Sequence, residues 1–157
     1  MPLIESSVTA LALWAVIGYL MGSVPFGMVL ARVMNLGNLR NIGSGNIGAT
    51  NVLRTGNKTA AALTLLLDAA KGAAALLLAR AITGVEDAAQ IAGLAAMFGH
   101  CYPVWLRFNG GKGVATFLGL LLALHFPVGV GACVAWLIGA GLSRMSSMGA
   151  LVSAASS

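Results

Sequence analysis

The sequence predicts an all-α, polytopic transmembrane helix bundle, and three observations predict it. The chain is 59% hydrophobic and only 8% charged, against about 25% charged residues in a typical soluble domain. Its apolar residues gather into charge-free runs long enough to cross a bilayer, which takes about 20 residues. Its Lys and Arg residues fall in short polar segments between those runs, as loops on the cytoplasmic side of a membrane do. The 21 glycines fit the same picture, because small residues let helices approach closely in lipid. Residues 1–157 read as one integral membrane domain.

The first run, residues 8–31, carries no charge. It is longer than the apolar core of a signal peptide, about 7–15 residues, and no basic residue precedes it. It is therefore a retained span. Pro25, flanked by Gly22 and Gly27, predicts a kink or unwinding near its end. Residues 32–58 are polar, glycine-rich and basic, with no acid; a segment of this length and composition is a functional loop. Residues 59–79 form a second span, interrupted by Asp68 and Lys71. Residues 80–87 read as a turn holding Glu86 and Asp87. Residues 88–106 form a third span with Pro103 near its end, and residues 107–113 a second glycine-rich basic loop. Residues 114–142 contain no Lys, Arg, Asp or Glu, and Pro127, Gly129 and Gly131 interrupt the middle. One bent span or a hairpin of two short helices both fit, and charge favours the hairpin, which returns Arg144 to the side of Lys112. A last apolar run starts near Met148 and is too short to cross a bilayer alone, so the chain reads as truncated.

Arg32, Arg40, Arg54, Lys58, Arg107, Lys112 and Arg144 lie in segments placed inside, and Arg80 alone in the outer turn. The positive-inside rule then puts the N-terminus outside and both polar loops in the cytoplasm. The net charge of +5 does not indicate a nucleic-acid partner, since the basic residues form no stripe interleaved with aromatics. Cys101 and Cys133 read as small apolar side chains, and they lack zinc-ligand spacing. No metal or cofactor is expected.

Two loops carry the chemistry. In the first, Gly43, Gly45 and Gly48 can adopt positive φ and offer N–H groups; Ser44, Asn46, Thr50 and Asn51 add polar groups, and Arg54 a forked donor suited to phosphate. The plain alternative is a flexible loop beside anionic lipid heads. In the second, Gly110, Gly111, Lys112 and Gly113 lead into Val114, Ala115 and Thr116, where a helix N-terminus would favour an anion. A nucleotide P-loop does not fit: it needs Gly where Leu106 stands and Ser or Thr where Gly113 stands. Asp68 and Lys71, three apart on one helical face, read first as a neutralising pair that fixes the bundle. They would line the site if the second span begins deeper. His100 is the better placed of the two histidines, on the loop side. The histidine–four–aspartate pattern of soluble-type glycerolipid acyltransferases is absent, with Trp105 five after His100 and Val130 five after His125. No paired carboxylates, Ser-His-Asp series or metal cluster stands out, so chemistry here would rest on positioning and charge stabilisation.

These segments resemble the PlsY family, the bacterial acyl-phosphate:glycerol-3-phosphate acyltransferases. The likeness rests on residues 22–27 (Gly-Ser-Val-Pro-Phe-Gly), 43–51 (Gly-Ser-Gly-Asn-Ile-Gly-Ala-Thr-Asn), 99–103 (Gly-His-Cys-Tyr-Pro) and 110–116 (Gly-Gly-Lys-Gly-Val-Ala-Thr), in order. It implies acyl transfer from acyl phosphate to the 1-hydroxyl of sn-glycerol 3-phosphate, giving lysophosphatidic acid and phosphate at the start of bacterial phospholipid synthesis. It implies a seven-span fold in the bacterial inner membrane, of which about five and a half spans are expected here. The site would face the cytoplasm, with membrane lipid around the acyl chain. By the same resemblance Ser44 lies near the reacting group, Arg54 and Lys112 hold phosphate, and Ser147 matches a serine near the phosphate, with Ser146 adjacent. The family's third motif, a His-Arg-x-Asn-Ile stretch, would follow Ser157, and without it the chain would be an inactive fragment. An anion transporter or channel is the rival reading, with interrupted helices but a site expected near the bilayer midplane. The sequence carries no signal for oligomeric state.

Overall fold

The computed structural model describes residues 4–143 and 145–157; Arg144, counted above among the inner basic residues, lies outside the described residues. Within them the chain is helical, with two 3-10 turns and no strand. Three helical stretches are long and apolar enough to cross a membrane: Val8–Val33, Lys58–Thr83 and Phe126–Ser143.

Helix α1 (Val8–Gly22) starts at Ser7, whose hydroxyl accepts the Ala10 N–H, a standard N-cap. Its break comes at residues 23–25, and α2 (Phe26–Val33) resumes after Pro25, as the proline predicts. Two carbonyls at the break accept bonds from distant parts of the chain, Val24 in addition to the local Phe26 N–H. Lys71 Nζ donates to the Val24 carbonyl at 2.8 Å, and Trp105 Nε1 to the Ser23 carbonyl at 3.0 Å.

After a 3-10 turn at Leu39–Asn41 and the short α3 (Ala49–Leu53), α4 (Lys58–Thr83) runs back through the bundle. Asn57 caps its start by accepting the Ala60 N–H at 2.9 Å. It runs a turn further than the sequence pattern indicates. Arg80 belongs to the helix, and the expected turn over residues 80–87 shrinks to Gly84 and Val85. The cause is local. The helix stops at Gly84, left-handed at φ 71°, the usual glycine stop. Glu86 and Asp87 then open α5 (Glu86–Cys101), where acidic side chains favour the helix dipole. α5 ends at Cys101, short of the expected 106, because Pro103 disfavours helical geometry in the residue before it.

α1 packs along α5. Gly18 and Gly22 lie against the backbones of Ala92 and Ala96, and a Cβ at either glycine would strike those carbonyls. This is small-residue packing of the kind that holds helices together in lipid. α6 (Val114–Leu124) crosses α4 with Gly119 against Ala69. The chain turns back at His125 into α7 (Phe126–Ser143), two residues before the expected Pro127, which sits in the first helical turn where proline is tolerated. Gly129 and Gly131 lie inside α7, and Gly129 lets it approach the Leu121 and Leu122 backbone. The pair is a hairpin: Met145, Ser146 and Ser147 after α7 share a cavity with Lys112 and Val114 before and within α6. α8 (Ser146–Ser156) folds onto α7 through Gly139 and Gly149.

Candidate active site

The first loop is shaped by Asn51, which is 1% exposed. Its Nδ2 donates to the Leu39 carbonyl at 3.0 Å and the Asn46 carbonyl at 2.8 Å. Its Oδ1 accepts the Ser44 N–H at 3.1 Å, and the Ser44 hydroxyl and Arg54 Nη1 at 3.4 Å. One amide therefore ties the turn before it to the arginine after it. Gly43 and Gly45 have φ 52° and 67°, which supplies the reversals; a side chain at Gly43 would also run into Arg54. Asn46 Oδ1 accepts the Gly48 N–H at 2.9 Å.

The second loop is clamped to the end of α5. Gly110 N–H donates to the Cys101 carbonyl and Gly111 N–H to the His100 carbonyl, both at 3.0 Å. Both glycines lie against His100, and a Cβ on Gly111 would overlap the imidazole Nε2. Their glycine identity thus serves close packing, and their N–H groups are spent on backbone rather than offered to an anion. Gly113, at φ 78°, turns the chain into α6. Thr116 also departs from expectation. It is fully buried, and it packs against Gly72 of α4 instead of facing the cavity, because the third residue of α6 points toward the neighbouring helix. Arg40 joins the loops by donating to the carbonyls of Gly45 and Asn109; sequence reasoning gave it only a place in the charge count.

The two loops, α4, α5, α6 and the α7–α8 junction enclose a cavity of about 310 Å³. Its polar wall holds Ser44, Asn46, Thr50, Asn51 and Arg54 from the first loop, Lys112 from the second, and Ser146 and Ser147 from the start of α8. Thr50 Oγ1 donates to Ser146 Oγ at 3.2 Å, linking α3 to α8. Leu65, Leu118, Trp136 and Met145 form the apolar part. Gly43, Gly45, Gly110, Gly111, Thr116 and Lys71 are not in the wall, whereas Gly113, Asp68 and His100 are.

The electrostatics favour an anion. Arg54 and Lys112 supply charge, and α6 and α8 both begin at the cavity without a side-chain cap, leaving first-turn N–H groups and the positive dipole end for a ligand. The Asp68–Lys71 pair divides in function. The two side chains, each 4% exposed, pair at 2.7 Å. Lys71 reaches away to Val24 and lies 5.7 Å from the centre of the Phe26 ring, while Asp68 borders the cavity. His100 Nδ1 lies 3.7 Å from Asp68 Oδ1. Among the described residues no group of three His, Cys, Asp or Glu side chains is placed to hold a metal.

The family model described as "Glycerol-3-phosphate acyltransferase" matches residues 12–157. A relative of that name in Roseobacter denitrificans is 77% identical over 150 residues, covering 96% of this chain and 74% of the relative. One in Ruegeria pomeroyi is 69% identical over 157 residues, covering 100% of this chain and 77% of the relative. Among solved structures, the glycerol 3-phosphate form of PlsY, an integral membrane glycerol 3-phosphate acyltransferase, superposes with a TM-score of 0.86 at 37% identity. That match covers 93% of this chain and 73% of the other. The lysophosphatidic acid form gives 0.80 at 35% identity, covering 91% and 71%.

Proposed function

The chain belongs to the glycerol-3-phosphate acyltransferase family, and from that premise we propose that its cavity joins an acyl phosphate to glycerol 3-phosphate. It is a multi-pass membrane acyltransferase of bacterial type. In the proposed reaction the 1-hydroxyl oxygen of glycerol 3-phosphate attacks the acyl carbonyl and forms the ester. The bond from that carbonyl carbon to the phosphate oxygen breaks, phosphate leaves with the electron pair, and the hydroxyl proton ends on the phosphate released. Lysophosphatidic acid and inorganic phosphate are the products.

The observation that carries this reading is the meeting of Arg54, Lys112, Ser44 and Ser147, from three separate segments, around one cavity. Both substrates are phosphates, so two cations and two uncapped helix starts suit them. Positioned charge of this kind stabilises the oxyanion and the departing phosphate without a covalent intermediate. The apolar wall accounts for the acyl chain, entering from surrounding lipid. A transporter would keep its polar groups near the middle of the bilayer, whereas Arg54, Lys112, Ser44 and Ser147 lie where helices start and end. The cavity end also carries most of the Lys and Arg residues, which supports a site facing the cytoplasm from the inner membrane.

The test supplies acyl phosphate and glycerol 3-phosphate to the purified, intact protein and follows lysophosphatidic acid and phosphate. Equal release of both is expected. No product from acyl phosphate, with activity from another acyl donor, would overturn the donor assignment. Cysteines placed at Ser44 and Lys112 should share one labelling pattern in sealed vesicles; opposite sides would end the reading.

A further inference from the structure

An anion cavity has no evident use for a buried carboxylate, yet Asp68 is in the wall, the one acidic side chain there among the described residues. Its charge would repel a bound phosphate. Lys71 answers that charge at 2.7 Å, one helical turn away on the same face, and is itself held by the Val24 carbonyl at 2.8 Å. What the pair leaves over is acceptor capacity. An ionised carboxylate offers about four lone-pair sites. Lys71 occupies one, and His100 Nδ1, at 3.7 Å, is beyond hydrogen-bond reach. Leaving buried acceptors unmet is costly. A dianionic phosphate has no proton to give them, but a hydroxyl has.

We propose that Asp68 is the hydroxyl-binding residue of the cavity, so that a ligand sits with its phosphate toward Arg54 and Lys112 and an alcohol donating to Asp68, and that Lys71 is the residue that positions Asp68. This rests on the reading that the cavity takes glycerol 3-phosphate, and it assigns to a named side chain the choice of a hydroxylated phosphate over a plain one. A site built to hydrogen-bond a hydroxyl rejects the analogue that lacks it far more strongly than an apolar pocket could. Asp68 is suited to this by burial: at 4% side-chain exposure water competes weakly for its oxygens. Lys71 and His100 both face its Oδ1, which fixes the rotamer, and Gly111 packs His100 in place.

The experiment is competition against labelled glycerol 3-phosphate on the intact protein in lipid nanodiscs, with n-propyl phosphate and inorganic phosphate as competitors. The wild type should prefer glycerol 3-phosphate over n-propyl phosphate by about 10- to 100-fold, the range for a hydrogen bond to a charged group. D68L/K71M removes both charges together, so neither is left buried alone, and leaves no acceptor at position 68; it should lose that preference to within about threefold while keeping its affinity for inorganic phosphate. An unchanged preference in the double variant would overturn the proposal. So would equal binding of the two esters by the wild type, a result that needs no variant to fold. If the wild type bound neither glycerol 3-phosphate nor inorganic phosphate, the reading of the cavity itself would fail. Binding of inorganic phosphate without ester preference would sink only the role of Asp68.

Discussion

Asn51 offers the sharpest test of how the site is built. Asn51→Ala deletes donors at 3.0 and 2.8 Å to the Leu39 and Asn46 carbonyls and an acceptor at 3.1 Å for the Ser44 N–H. At about 1 kcal/mol net for each bond, the ordered loop loses roughly 3 kcal/mol, or about 100-fold in its population relative to open forms. Water reaching the cavity side would offset part of that, so kcat/KM for glycerol 3-phosphate should fall about 10- to 100-fold. The bundle itself should melt almost unchanged, because its helices pack through contacts elsewhere. Asn51→Asp should do at least as much damage despite its matching shape. It keeps the acceptor but turns two donated bonds into oxygen–oxygen contacts and sets a negative charge beside Arg54. The assay is steady-state kinetics of both variants alongside thermal unfolding in the same detergent. If Asn51→Ala stayed within about twofold of wild type, or if Asn51→Asp proved the milder change, the view of Asn51 as the organiser of the loop would be wrong.

Other outcomes follow from the same geometry. Lys112→Ala and Arg54→Ala should each raise KM for a phosphate substrate or abolish turnover, and ordinary kinetics in both would remove them from the site. Gly111→Ala forces a methyl into the His100 ring; activity should drop by about tenfold or more, as expected for an active-site displacement of about 1 Å, with Lys112 intact. At the other end, Asp87 accepts the Glu5 and Ser6 N–H groups and the Ser6 hydroxyl, and these bonds hold its carboxyl down at about 2 from 3.8. A depressed carboxylate contributes its hold fully above the unfolded value and loses it as pH falls from there through the folded value. A spin label at Ile4→Cys should therefore stay restrained at pH 6 and loosen between about pH 4 and 2. Asp87→Asn should loosen it at every pH, and a flat profile would refute the tether.

Much of this was readable in the chain because charge and hydrophobicity change sharply along it. Pro25 marks the end of α1, the charge-free runs mark the long helices, and the stretch around Lys112 announces the cavity end. The failures came where a residue's meaning depends on what lies across from it. Gly110 and Gly111 look like an anion nest in one dimension; His100 and Cys101 claim their N–H groups in three. Thr116 belongs to the same motif as Lys112 yet turns to meet Gly72, because successive helical residues point about 100° apart. Arg40 could not be distinguished from other loop cations until the two loops were seen side by side. Asp68 read as half of a neutral pair, which it is, but spacing alone could not reveal that its other side opens onto the cavity.

The bend between α1 and α2 bears on how the protein is assembled. Its stray carbonyls are stoppered by Lys71 and Trp105, and both are made after the bend has left the ribosome. An early intermediate holding only the first span must leave the Ser23 oxygen to water or to lipid head groups, and the Val24 oxygen to the Phe26 N–H alone. The N-terminal elbow can then acquire its final angle only when α4 and the stretch after α5 have arrived, which makes the first part of the chain to be synthesised one of the last to set.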